Sequence, residues 1–166
     1  ITFAPLARAD VKAYLQSQLG MSGGDAGFVA ALSMGSIGAA LALDKEEWSE
    51  KRRIWSDMLG ALKTRDYQGA MIGAEALASN RDEALKFLKW AESWYRDLLI
   101  YQVGSDAQEL VNLDMQGRIN EQSTAHDIAH SLRALGQTGS AAARIQRNLN
   151  RRMVLEKFLF GVVGGR

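Results

Sequence analysis

Apolar residues return every three or four positions along most of the chain, which predicts helices and little else. The longest such run closes the sequence. Over residues 140–163, Ala142, Ile145, Leu149 and Met153 form one apolar series, and Leu155, Phe158, Leu159 and Val162 continue it at nearly the same spacing. Read as one helix, this segment is roughly 30–36 Å long. It holds Asn148 and Asn150 beside Arg144, Arg147, Arg151 and Arg152. Asparagine is only a modest helix former. The pair is therefore expected either on a solvated face or in a polar contact with another helix or another chain.

The preceding segments follow the same logic. Residues 1–4 are short and β-like, and Pro5, the single proline, stands at the entrance to the rest. A first helix is expected over 7–19, with Val11, Tyr14, Leu15 and Leu19 buried, ended by Gly20. A second is expected over 25–33 with Asp25 as its N-cap, and a short third over 37–43. Near Asp44 the character changes from small residues to long amphipathic runs, so a domain boundary is placed between Leu43 and Glu47. Helices are then expected over 45–63, 66–78 and 82–103. In the first of these Trp48, Trp55, Met58, Leu59 and Leu62 share a face, and Lys51, Arg52 and Arg53 face solvent. Leu85, Leu88, Ala91, Tyr95, Leu98, Leu99 and Gln102 mark the apolar face of the third. A short helix or turn at 108–112 precedes a helix over 123–135, with Ile128, Ala129, Leu132 and Leu135 inward, stopped by Gly136 and Gly139. The fold class is all-α, with short connections that favour antiparallel neighbours in a bundle.

Composition narrows the function. The chain has 166 residues, of which 47% are hydrophobic, enough for a core. The formal net charge of +1 is no footprint for strong phosphate binding, so any DNA contact is expected from a local patch or a partner. The absence of cysteine excludes disulfides and thiolate zinc sites. No apolar run approaches the roughly 20 residues of a membrane span and no secretory signal opens the chain. The first residue is Ile1, so a fragment or a processed chain is expected.

Candidate chemistry is sparse. His126 and His130, the only histidines, stand four apart and on one helix face would both reach a metal. The metalloprotease pattern needs Glu after the first His, where this chain has Asp127, and no third ligand is marked out. The plainer reading is two exposed imidazoles, and no metal or other cofactor is expected. The loop Gly20–Gly24 is glycine-rich but lacks the Lys-Ser/Thr pair of a P-loop. No G-x-S-x-G elbow is present. Acid pairs such as Glu46-Glu47 and Asp82-Glu83 sit at helix starts, where the helix dipole accounts for them. Trp90, Trp94, Tyr95 and Tyr101 crowd one helix, more than one small core is expected to accept. Part of that area is expected against another element or another subunit, since Trp and Tyr are frequent interface anchors.

Three stretches together carry a resemblance. Gly35-Ser36-Ile37-Gly38-Ala39-Ala40-Leu41 is similar to a "G-S-x-G-x-A-L" turn, and Trp94-Tyr95-Arg96-Asp97-Leu98-Leu99 to a "W-x-R-D-L-L" helix. Asn148-Leu149-Asn150 with Leu155-Glu156 is similar to an "N-x-N-x-x-x-x-L-E" pattern. In this order they resemble the C-terminal part of the delta-prime branch of the bacterial DNA polymerase III clamp-loader family. The resemblance implies an AAA+ lid over residues 1–43 and a helical collar over 44–166. ATP-hydrolysing relatives have an arginine in the lid turn, in a pattern like "G-S-x-R-D-A-L". The corresponding slot here is Gly38, followed by Ala39, and neither side chain reaches a phosphate. Gly35, Ser36, Gly38 and Ala39 are thus a degenerate nucleotide-sensor turn.

The implied function is a non-catalytic, cytoplasmic clamp-loader subunit that assembles with gamma/tau and delta subunits. The assembled ring acts on the sliding clamp and primed DNA, with no membrane involved. Trp94, Arg96, Asn148, Asn150 and Glu156 are the expected structural or interface residues. The alternative is a helical protein-binding scaffold unrelated to replication.

Overall fold

The computed structural model describes residues 4–33, 35–104 and 110–164. Every regular element among them is helical: α1 (Arg8–Leu19), α2 (Gly23–Leu32), α3 (Ile37–Leu41), α4 (Lys45–Ala61), α5 (Tyr67–Ala78), α6 (Arg81–Gln102), α7 (Gln116–Ala125), α8 (Ile128–Gln146) and α9 (Arg151–Val163), with a 3-10 turn at Leu113–Met115. Residues 1–3 of the expected β-like opening and 108–109 of the expected short turn lie outside the described residues. No helix among the described residues is long and apolar enough to cross a membrane.

Side-chain caps set most of the helix starts. Ser22, Ser36, Asp66, Asn80, Asp127 and Asn150 each accept a backbone N–H from the first turn that follows them. Ser22 caps α2, and the Asp25 N–H is the donor, so Asp25 stands inside the helix rather than at its cap.

Contacts divide the chain into two units, Ile1–Lys51 and Arg52–Arg166. In the first, α1 packs on α2, and Val11, Leu15, Ala26, Val29, Ala30 and Ala40 form its core. In the second, α6 is the central helix, lying against α8, α7 and α5. Ten of its residues are buried, from Ala84 to Leu98, including Trp90, Trp94 and Tyr95. Those aromatics meet other elements of the same chain. Trp90 lies 5.6 Å from Trp55 of α4 and 5.3 Å from Trp94, and Phe158 of α9 lies 6.0 Å from Phe87. The second unit thus has room for all three, because α4 and α9 close the sides of α6.

Two sequence expectations fail at the end of the chain. The expected helix over 140–163 is two helices, separated at Arg147–Asn150. Gly136 and Gly139 do not stop a helix either: α8 runs through both. Its buried face is His130, Ser131, Ala134, Thr138, Ala141 and Ile145, so Ile128 and Leu132 point outward. The polar members of that face hide its period from a reading based on apolar residues alone. Leu149 and Met153, expected inward, are 47% and 67% exposed.

The break explains both asparagines. Asn148 sits in the left-handed region at φ 61°, one residue past the α8 cap. Its N–H donates to the Ile145 carbonyl, and the Leu149 N–H donates to that of Arg144. This is the Schellman closure, where only Gly and Asn are at ease. Asn150 then caps α9 by accepting from the Met153 N–H at 3.2 Å. Asn148→Ala and Asn150→Ala are each expected to cost about 1 kcal/mol, and Asn148→Gly close to nothing. Chemical denaturation of the three variants checks this, and an Asn148→Gly loss as large as that of Asn148→Ala would remove the conformational explanation.

Candidate functional site

The turn from Gly35 to Ala39 belongs to the first unit. Gly35 has φ +83°, and its carbonyl accepts the Leu6 N–H at 3.0 Å. Ser36 caps α3 by accepting the Ala39 N–H at 3.2 Å. Ala39 thus contributes backbone, not a side chain. Gly38 is exposed, and a Cβ built there meets nothing nearer than the Ser36 hydroxyl at 4.0 Å. Packing within the chain therefore does not require glycine at that slot.

In the second unit, the α6 stretch from Trp94 to Leu99 faces a buried polar network. Trp94 is 1% exposed and belongs to the core. Arg96 is half-exposed, with Nη1 3.6 Å from Asp97 Oδ1. Asp97, fully buried, is the hub. Its Oδ1 accepts the Val111 N–H at 3.0 Å, and its Oδ2 accepts the N–H of Asn112 at 2.7 Å and Nδ2 of Asn112 at 2.8 Å. Asn112 Oδ1 accepts from Arg52 Nη1 at 3.1 Å, and Arg52 forks onto both Asp114 oxygens at 3.1 and 2.6 Å. Arg52 is only 1% exposed, contrary to its expected place on the solvent face. It turns inward because three acceptors on one short segment wait for it. Burial pushes the Asp97 carboxyl above its ordinary range, opposed by the Asn112 and Val111 donors and by Arg96. Asp97 and Arg52 were not among the expected site residues. The only sign of Asp97 is its place in the quoted W-x-R-D-L-L stretch, and a lone Arg52 gives none.

Asn148 and Asn150 line one groove of about 330 Å³ with Arg81, Leu149, Arg151 and Arg152. Glu156 follows on α9, where Oε1 accepts from Arg152 Nε at 2.9 Å, and Arg152 Nη2 is 3.6 Å from Glu75. Glu156 therefore anchors Arg152 at the edge of the groove. Trp94 and Arg96 do not reach it.

The histidines do not share a helix. His126 is the extended residue that ends α7, and His130 lies in the first turn of α8, its N–H donating to the Asp127 cap. Their rings stack face to face, with centroids 4.1 Å apart and planes 10° apart. Stacked rings do not aim nitrogens at a common point, and no cluster of three metal-ligating side chains exists among the described residues. Burial lowers the His130 pKa to about 4, helped by His126 and Arg133 and opposed by Asp127. Burial also lowers that of His126, again against Asp127. The fold thus disfavours protonation of both imidazoles relative to the unfolded chain, whose histidines protonate near 6.5. The unfolded state then binds more protons, so stability present above pH 6.5 is lost as pH falls toward 4. The expected contribution is on the order of 2 kcal/mol. Urea unfolding at successive pH values checks it. His130→Gln should flatten the fall relative to the unaltered chain, and equal slopes in both proteins would assign the acid loss to carboxylates.

Helical packing around a central helix, pinned by the buried Asp97–Asn112–Arg52 network, defines an all-helical module. The comparisons give that class a family. A family model described as DNA polymerase III, delta subunit, C terminal, matches residues 48–162. The chain belongs to this family, and membership implies a role in the clamp loader of DNA polymerase III. Comparison with curated proteins and with solved structures found no match in either.

Proposed function

We propose that this chain is the lid-and-collar part of a delta-prime-type clamp-loader subunit, non-catalytic and built for assembly. In this reading residues 1–43 are an AAA+ lid and residues 44–166 a collar. The collar packs beside those of gamma/tau and delta subunits in a ring that places the sliding clamp on primed DNA. Family membership over residues 48–162 supports the clamp-loader part. The observation that carries the delta-prime assignment is Gly38. Its slot is exposed and a Cβ there meets only the Ser36 hydroxyl at 4.0 Å, so a side chain can start there without a clash, yet the chain has no arginine at it. A nucleotide-sensing role is thus given up at a position where packing does not forbid it.

The buried Trp94 and Asp97 then fix α6 within the collar core, Asp97 by tying it to Val111 and Asn112, and Asn148, Asn150 and Glu156 shape the α8–α9 corner. The test is solution mass by light scattering on a sizing column, for this chain alone and mixed with the gamma/tau collar from the same source. A new heavier species is expected. Absence of one at high protein concentration, both for this chain and for a version extended by an ATPase-like core, would overturn the assembly role.

A further inference from the structure

The charge of the chain is unevenly placed. From Ile128 to Gly164 stand five arginines and one lysine against one carboxylate, Glu156, in a chain whose formal net charge is +1. Two grooves successive along α8 and α9 collect four of these cations, and Arg147 stands at the α8–α9 turn without lining either groove. The groove of about 330 Å³ at the α8–α9 turn has Arg81, Arg151 and Arg152 on its walls. A smaller one of about 140 Å³, along the seam of the two helices, has Arg144 and Lys157. No carboxylate lines either groove.

The internal partners of these groups leave most of their donors unused. Arg81 Nη2 donates to the Gln146 carbonyl at 3.2 Å, and Arg151 Nε to that of Ala78 at 3.0 Å. Each bond fixes one edge of a guanidinium and leaves the other. Arg144, Arg147 and Lys157 are exposed and make no side-chain hydrogen bond or ion pair among the described residues. Arg152 is paired with Glu156 and Glu75, but the other groove cations have no carboxylate partner among the described residues, and like charges so gathered repel one another and lower stability. A surface that keeps them gains from an external polyanion. Arginine forks match phosphate oxygens two at a time, and two grooves in succession suit a continuous chain of anions better than an isolated carboxylate.

We propose that the α8–α9 hairpin is a contact for the sugar-phosphate backbone of DNA, made without regard to base sequence. The inference rests on the clamp-loader reading, which brings DNA to the assembly. It adds a surface on this chain to do the contacting. The surface is local, which reconciles it with a net charge too small for a DNA-binding protein as a whole.

Fluorescence anisotropy of labelled single strands and duplexes, in two unrelated sequences each, tests the proposal with the 166-residue chain. With three or four phosphates neutralised, affinity should fall about fifty-fold between about 50 and 200 mM salt, equally for both sequences. Arg144→Gln/Arg147→Gln should bind at least about tenfold more weakly at the lower salt, with a log–log salt slope shallower by about two. These side chains have no partners to lose and their charges repel their neighbours, so the melting temperature should not fall. Absent binding, a salt-independent affinity, or wild-type affinity in the double variant would each overturn the proposal. Binding of polyglutamate that needs the two arginines, with no binding of DNA, would reassign the surface to an acidic protein. A gamma/tau complex that still forms on the sizing column while DNA binding is absent would remove this surface and leave the assembly role intact.

Discussion

Asp97→Ala should cost the second unit about 3–5 kcal/mol, the largest loss expected from a single polar side chain here. The carboxylate is fully buried, and ionising it there is expensive, as its raised pKa records. Its net worth relative to an apolar core is therefore modest. Truncation is a different matter. It strands the N–H groups of Val111 and Asn112 and one donor of the Asn112 amide, all directed at an emptied space. Asn112 then no longer holds its oxygen toward Arg52, and a guanidinium 1% exposed loses part of its shell. Urea unfolding followed by tryptophan fluorescence reads the loss, because Trp90 and Trp94 lie on the same helix. A shift of the midpoint with unchanged slope is expected. A loss below about 1 kcal/mol would mean that water or repacking replaces the carboxylate, and that the network is not a pin.

Gly35→Ala should be nearly as severe, and confined to the first unit. At φ +83° any residue with a Cβ is strained by about 1–2 kcal/mol. The new atom would also stand 2.5 Å from the Leu6 carbonyl oxygen and 2.7 Å from Pro5 Cβ. Backbone cannot rotate away as a flexible side chain can, so a total near 3 kcal/mol or more is expected. Gly38→Arg, three residues on, is expected to be neutral or slightly stabilising, since the slot is open and glycine is a poor helix former. Hydrogen exchange separates the two. Amides of α1–α3 should lose protection in Gly35→Ala and keep it in Gly38→Arg, while those of α6 stay unchanged in both. Loss of protection in Gly38→Arg would show that the missing arginine is a packing constraint after all.

The helices were legible because their apolar period is local, and α6 shows it best. What the sequence hid depended on partners far along the chain. Arg52 reads as a surface residue until Asn112 and Asp114, some sixty positions later, are brought to it. Asn148 and Asn150 drew notice as poor helix formers, yet the apolar period carries across them and suggested one helix. The left-handed φ of Asn148 and the capping of Asn150 have no periodic signature. Gly136 and Gly139 resemble stop signals, but Thr138 and Ala141 are buried between and beyond them, and tertiary packing outweighs the propensity. Trp94 was expected at a structural or interface position. It is buried within the unit, so its contribution to any partner surface is through the helix it holds in place.

The placement of α9 bears on how the protein is made. Its residues Leu155, Phe158 and Leu159, at most 2% exposed, complete the core, and α9 rests on α5 and α8. The Arg65 N–H, at the entry to α5, donates to the Val163 carbonyl at 2.8 Å. Among the described residues, the helix that closes the second unit is therefore the last to leave the ribosome. Until then Phe87 and Tyr95 lack one wall of their packing, and the nascent chain carries an apolar face with nothing to cover it. Such a unit cannot complete its core until α9 has been made, and in that interval it is open to chaperones and to wrong partners.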